Sequence, residues 1–76
     1  MNVRELIKEL SSYNLDMRVV VHGYEGGCAD LTTDRIYPTL IALNENESKY
    51  FGPHEYNVSN DGYYEHTETA LMLDRP

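Results

Sequence analysis

VRELIKELSSYNLDMRVVVH, residues 3–22, is the stretch that decides the fold class of this chain. Apolar residues in its first half recur at i, i+3, i+4 and i+7, which is typical of one helix face, and this predicts a helix over residues 3–12. Asn2 and Glu5 match a capping box at its start. The valine run that follows predicts a buried central strand at residues 17–22. The apolar helix residues are Val3, Leu6, Ile7 and Leu10.

Further strands are predicted along the rest of the chain. Residues 33–43 alternate well enough for a second strand, although Pro38 lacks an amide donor and places that strand at an edge or a bulge. A short return strand is predicted at Tyr50 and Phe51, followed by a long loop over residues 53–67 and a last strand at residues 69–73.

These elements predict one α+β domain covering residues 1–76. A single N-terminal helix is expected to pack on a small, mainly antiparallel sheet of three to four strands, in the order α-β-β-β, because hairpin-length connections cannot join parallel strands. The second face of such a sheet would stay partly apolar, and a second copy of the chain would cover it. A homodimer is therefore one expectation.

Charge narrows the classes of partner. The formal net charge is -7, and most of the excess lies after residue 43. No cluster of Lys and Arg is present to contact phosphates, so direct binding to nucleic acid or to an anionic membrane is disfavoured. The partner classes that remain are a basic protein surface, a cation and a neutral ligand.

Cellular context follows from similar negative signals. Cys28 is the single cysteine, so an intramolecular disulfide is impossible. The N-terminus has no secretion signal pattern, and no apolar run reaches the length of a membrane span. A cytoplasmic protein is expected.

The most distinctive segment is the glycine loop, residues 23–27, with sequence Gly-Tyr-Glu-Gly-Gly. Glycine permits positive φ and close backbone approach. One interpretation is a loop that displays Tyr24 and Glu25 to a ligand or partner; the other is a turn between two strands. No Lys, Ser or Thr follows as a phosphate-binding loop requires.

Metal and nucleophile chemistry find little support in the sequence. A zinc site requires four donor side chains that converge on the ion, and the available side chains include no closely spaced pair of ligands in the sequence. Nor is a 76-residue domain large enough to shield a Cys–His nucleophile with its oxyanion hole. No metal, no cofactor and no enzymatic activity are therefore predicted. The side chains considered were His22, Cys28, His54 and His66, with Asp30 or Glu55.

Residues 45–68 hold six carboxylates against one lysine, with aromatic residues among them. Such a surface docks on basic proteins, and tyrosine supplies contact area at low entropic cost. The other interpretation is a solvated loop that keeps a small protein soluble. Both stay open. The aromatic residues are Tyr50, Phe51, Tyr56, Tyr63 and Tyr64.

The chain resembles a family of small uncharacterised phage and prophage proteins. The resemblance lies in the Val-Arg-Glu-Leu-Ile helix, the Val-Val-Val strand, the glycine loop, the Gly-Pro-His-Glu segment at 52–55 and the closing Ala-Leu-Met-Leu at 70–73. It implies a mobile-element protein that binds and blocks a host factor, and it carries no known activity. Cys28 departs from the pattern, and residues 56–67 follow none of it.

The sequence as a whole predicts a small acidic binding protein that acts through a protein partner, itself host-encoded if the resemblance holds. The alternative is an accessory domain that binds a small molecule or metal through the glycine loop and His54. The predicted partner-binding residues are Tyr24, Glu25, Gly26, Gly27, Asp30, Tyr50, His54 and Glu55.

Overall fold

A computed structural model describes residues 1–76 as one α-helix, a short 3-10 turn and five strands. One N-terminal helix with two small antiparallel sheets confirms the predicted α+β class. The chain divides into two compact units, an N-terminal unit (residues 1–35 with 73–76) and a sheet unit (residues 36–72). The elements are α1 (Val3–Leu10), β1 (Val20–His22), β2 (Cys28–Asp30), the 3-10 turn (Thr33–Arg35), β3 (Ile36–Ala42), β4 (Glu55–Tyr56) and β5 (Thr67–Leu73).

Helix α1 begins with the predicted capping box and ends earlier than residue 12. The Asn2 side chain accepts from the Glu5 amide at 2.8 Å, and the Glu5 carboxylate accepts from the Asn2 amide at 3.3 Å. At the other end the Ser11 hydroxyl donates to the Lys8 carbonyl at 2.7 Å. Ser12 does the same to Glu9. Serine hydroxyls that compete for these carbonyls favour the end of a helix, so α1 stops at Leu10.

The apolar face of α1 is not covered, which corrects the prediction of a helix packed on a sheet. Val3 and Leu10 are about half exposed, and Ile7 is 64 % exposed. Leu6 alone on that face is half-buried. The periodicity was sufficient to predict the helix, but it carries no information on what the apolar face contacts.

The valine run forms a strand of a hairpin, and the prediction of a buried central strand is wrong. Strand β1 begins only at Val20 and pairs antiparallel with β2 alone, in the register Val20 with Asp30 and His22 with Cys28. Val20 is 46 % exposed. Strand β2 was not predicted, because Cys-Ala-Asp has no strand signature of its own.

Strand β3 is the middle strand of the sheet unit, in the order β4-β3-β5. Backbone amides of Leu43 and Asp74 donate to the carbonyls of His66 and Arg35, each at 2.8 Å. The spacing from Arg35 to Leu43 equals the spacing from His66 to Asp74, so β3 and β5 run antiparallel without a bulge. In this register Pro38 faces away from β5, where its missing N–H is harmless.

Strand β4 is shorter and later than the predicted return strand at Tyr50 and Phe51, which lie in a turn instead. It pairs with β3 only through Ile41 with Tyr56 and Ala42 with Glu55, so it does not reach Pro38. The prediction of an edge strand or a bulge is wrong, because β3 is the middle strand of its sheet; the unpaired stretch beside Pro38 accommodates the missing amide instead. The predicted loop over residues 53–67 contains β4.

The ends of the outer strands complete the sheet unit. The 3-10 turn occupies residues 33–35, where the second strand was predicted to begin, and β5 begins at Thr67, two residues before its predicted start. Ala42, at the end of β3, is the only fully buried apolar residue of the chain. No helix has the length and apolarity that crossing a membrane requires.

Candidate functional site

The glycine loop is the turn of the β1–β2 hairpin. The Gly23 amide donates to the Gly27 carbonyl at 3.0 Å, which closes the loop at its base. A Cβ on Gly23 would lie 2.3 Å from the Gly26 carbonyl oxygen, and Gly27 has a φ of +61°. Both positions therefore require glycine for the turn itself. The strand-turn interpretation accounts for these glycines.

Tyr24, at the tip of this loop, is held by a residue that sequence reasoning missed. The Arg75 guanidinium lies 4.9 Å from the centre of the Tyr24 ring, and its Nη1 donates to the Tyr24 carbonyl at 3.2 Å. Tyr24 is still 73 % exposed. Arg75 is 51 positions away from Tyr24 in the sequence, so no local pattern could reveal the pair.

Asp30 is engaged in the N-terminal unit. Its carboxylate lies 3.2 Å from Arg18 Nε, although both side chains are mostly exposed. An exposed ion pair of this kind contributes at most about 1 kcal/mol. At the loop end of the same hairpin, His22 and Cys28 are directly opposite each other, and Cys28 is exposed.

The other predicted site residues belong to the sheet unit. The His54 Nδ1 accepts from the Asn44 amide at 3.1 Å, so a neutral His54 carries its proton on Nε2. Asn46 fixes the same segment: its side chain donates to the Gly52 carbonyl at 3.1 Å, and its amide donates to the Pro53 carbonyl at 3.0 Å. Tyr50 is 83 % exposed.

An open concavity of about 490 Å³ lies against this segment. Phe51, His54, Glu55 and Tyr56 are among its lining residues. The Asn46 bonds hold Gly52 and His54 in place, so one wall of the concavity is fixed by the backbone.

The second concavity of the sheet unit, the tyrosine cleft, has a volume of about 360 Å³ and shares Glu55 and Tyr56 with the first. The rings of Tyr63 and Tyr64 meet edge to face with 4.8 Å between their centres. Its lining residues are Glu55, Tyr56, Asn57, Val58, Ser59, Asp61, Tyr63 and Tyr64.

Local backbone geometry shapes the tyrosine cleft. Asn57 and Gly62 both have positive φ, near +57° and +83°, which turns the chain sharply on either side of Ser59. The Tyr63 amide donates to the Asp61 carboxylate at 3.0 Å, a turn closed by an aspartate side chain. These two turns place side chains of the irregular segment that follows β4 beside that strand.

The electrostatic character of the tyrosine cleft is negative. Partial desolvation raises the pKa of Tyr64 above its ordinary 10.0, and the nearby Glu55 carboxylate raises it further. Tyr63, Glu45 and Asp61 add to the same effect. The single basic residue of the sheet unit, Lys49, lies over the Tyr50 ring at 5.4 Å from its centre.

No group of three or more metal-ligating side chains lies close enough together to hold a metal ion. The side chains considered for zinc, including His22, Cys28, His54 and His66, therefore form no such cluster. The alternative function of a metal-binding accessory domain gains no support from this arrangement.

A separate feature, the N-terminal apolar surface, was not predicted from the sequence, because the helix face and the strand at residues 17–22 were expected to be buried. Its groove, about 350 Å³, runs along the end of α1 and the segment after it. The Met17 amide donates to the Asn14 carbonyl, and the Asp16 amide donates to the Asn14 side chain. This turn displays Leu15, which is 91 % exposed. We define the surface as Ile7, Leu10, Tyr13, Leu15, Met17 and Val19.

The eight predicted partner-binding residues thus fall into two groups. Tyr24, Glu25, Gly26 and Gly27 form the hairpin turn, and Asp30 lies at the far end of the same hairpin. Tyr50, His54 and Glu55 lie in the sheet unit, Glu55 in β4 and the other two before it. That both groups form one surface stays a prediction. Sequence analysis gave the acidic, tyrosine-rich segment as a docking surface without singling out Tyr56, Asp61, Tyr63 and Tyr64, and it did not point to Arg75 or to the N-terminal apolar surface.

Comparison of the chain with protein-family models, curated proteins and solved structures finds no match.

Proposed function

We propose that this chain is a non-enzymatic binding protein that takes up a basic segment of a partner protein in the tyrosine cleft. The observation that carries the proposal is the combination of aromatic and acidic walls in one concavity. Tyr56, Tyr63 and Tyr64 supply the rings, and Glu55 and Asp61 supply the carboxylates. Exposed tyrosine faces attract Lys and Arg cations, and carboxylates pair with them.

The charge of the sheet unit supports the same partner chemistry. Residues 36–72 contain six carboxylates and one lysine, and no lysine or arginine lines the tyrosine cleft. Partial desolvation is the main cause of the raised pKa of Tyr64, and the carboxylates of Glu55, Glu45 and Asp61 raise it further. A basic segment would partly neutralise the negative potential of the cleft, whereas an acidic partner or a nucleic acid would be repelled by it.

The resemblance to phage and prophage proteins extends the proposal to a host-encoded partner, which the protein would inhibit by occupying its basic surface. His54 and Tyr50 would extend the contact beyond the tyrosine cleft, because the neighbouring concavity, which His54 lines, shares Glu55 and Tyr56 with the cleft.

The proposal is tested by calorimetric titration with three peptides of equal length, one rich in arginine, one neutral and one rich in glutamate. We expect binding of the arginine-rich peptide only, with an affinity that falls steeply as salt is added. Glu55→Gln and Asp61→Asn should each weaken it about two- to fivefold, as for exposed ion pairs.

The matched controls are Glu5→Gln and Glu9→Gln, which remove the same charge from α1. Because these carboxylates lie in the other unit, the controls should leave the affinity unchanged. Equal losses from all four substitutions would mean that only net charge attracts the peptide. Binding that is insensitive to salt, or equal for all three peptides, would refute the proposal.

A further inference from the structure

The N-terminal apolar surface is a feature that the proposed function leaves unexplained. Six apolar side chains on α1 and the following turn are each about half exposed or more. Leu15 is the extreme case, since it projects from a turn and is 91 % exposed. Soluble proteins commonly expose single apolar residues, but a contiguous group of this size marks an interaction surface.

The exposed area of the whole chain is large for its mass. The accessible surface is 6830 Å², whereas a folded monomer of 8.8 kDa exposes about 4,800 Å². Even when the two units are counted as separate bodies of about half the mass, the expected total is only about 5,800 Å². About 1,000 Å² per chain is therefore in excess, and a stable dimer typically buries about 800 Å² per partner.

Charge favours a second copy of this chain as the occupant. The sheet unit carries a formal charge of five negatives, so contact between two copies through it would be repulsive. The N-terminal unit is nearly balanced, with five basic and seven acidic residues. The charged residues of α1 lie on the face away from the apolar surface. Two copies can therefore approach through their N-terminal units without the strong repulsion that the sheet units would cause.

We infer that two copies of this chain associate through their N-terminal apolar surfaces. The pairing is isologous, since each copy offers the same patch to the other. It covers the face of α1 that no strand of its own chain covers. No residue of the surface lines the tyrosine cleft, so the inference is independent of the proposed function.

Sedimentation velocity of the intact chain, from micromolar to near-millimolar concentration, tests this inference. Reducing agent is needed because Cys28 is exposed and a disulfide between copies would imitate association. We expect the mass to rise from 8.8 kDa towards twice that value. A monomer at every concentration would overturn the inference and would leave the surface to a different protein.

Substitutions locate the interface. Leu15→Gln changes a residue on an exposed turn, so it leaves the monomer folded, and it should weaken association at least about thirtyfold because each dimer buries two copies of Leu15. Ile7→Gln should do the same, with Lys8→Gln on the opposite face of α1 as its matched control. Association that is equal in the Leu15 and Lys8 variants would show that another face is used.

Discussion

Replacing Gly23 with alanine should destabilise the protein more than any other single change in the glycine loop. The added Cβ would lie 2.3 Å from the Gly26 carbonyl oxygen, whereas real Cβ atoms essentially never come closer than 3.0 Å. The turn must therefore open by at least the difference between these distances. Because the neighbour is backbone, no side-chain rotation relieves the contact.

The cost of this change has two parts. Opening the turn breaks the hydrogen bond from the Gly23 amide to the Gly27 carbonyl, which contributes about 1 kcal/mol. The steric misfit adds roughly 1–3 kcal/mol, as overpacking does elsewhere. A total of about 2–4 kcal/mol corresponds to a Tm lowered by at least about 8 °C in a domain of this size.

Gly26→Ala is the matched control, since a Cβ there meets nothing within 4 Å and the backbone is not in the left-handed region. It should be neutral or stabilise by about 0.4–1 kcal/mol through the unfolded chain. Thermal and urea unfolding followed by circular dichroism would measure both variants. Equal stability of the two would refute the account of the loop as a turn that Gly23 makes possible.

Three further predictions concern single groups. Asn2→Ala removes the capping box and should cost about 0.5–2 kcal/mol, seen as lost far-UV ellipticity, and unchanged ellipticity would contradict the cap. The hydrogen bond from the Thr32 side chain holds the pKa of Asp34 below its ordinary 3.8. The ionised Asp34 therefore stabilises the fold above pH 3.8, and this stabilisation is lost as the pH falls through the lowered pKa. Thr32→Ala should raise that pKa in an NMR titration, and no movement would exclude the bond. Because the pKa of Tyr64 is raised, its contribution to stability is intact below pH 10.0 and is lost as the pH rises through the higher folded value. Glu55→Gln should bring that pKa down, and an unchanged value would place the carboxylate too far away.

The sequence was most informative where structure depends on neighbours along the chain. The capping box, the helix face and the strand at residues 67–73 follow from local spacing and residue type, so they were predicted with small errors at the ends. The missing amide of Pro38 correctly indicated a position without a ladder hydrogen bond, but it did not indicate that β3 is the middle strand of its sheet. The α+β class follows from these elements together.

Features that depend on distant residues were not predictable in the same way. Three consecutive valines indicated a buried strand, yet burial depends on what packs against them, and β1 has only β2 as its partner. The contact of Arg75 with Tyr24 joins residues 51 positions apart. The tyrosine cleft arises from two positive-φ turns in a segment without periodicity, so composition could suggest its chemistry but not its shape.

The central claim is that the tyrosine cleft binds a basic segment, and an NMR titration of the labelled chain with the arginine-rich peptide tests it most directly. We predict that the amide shifts concentrate between Glu55 and Tyr64, with smaller changes at His54, and that they reverse when salt is added. Shifts confined to α1 and the N-terminal apolar surface, or spread evenly over every exposed carboxylate, would contradict the account.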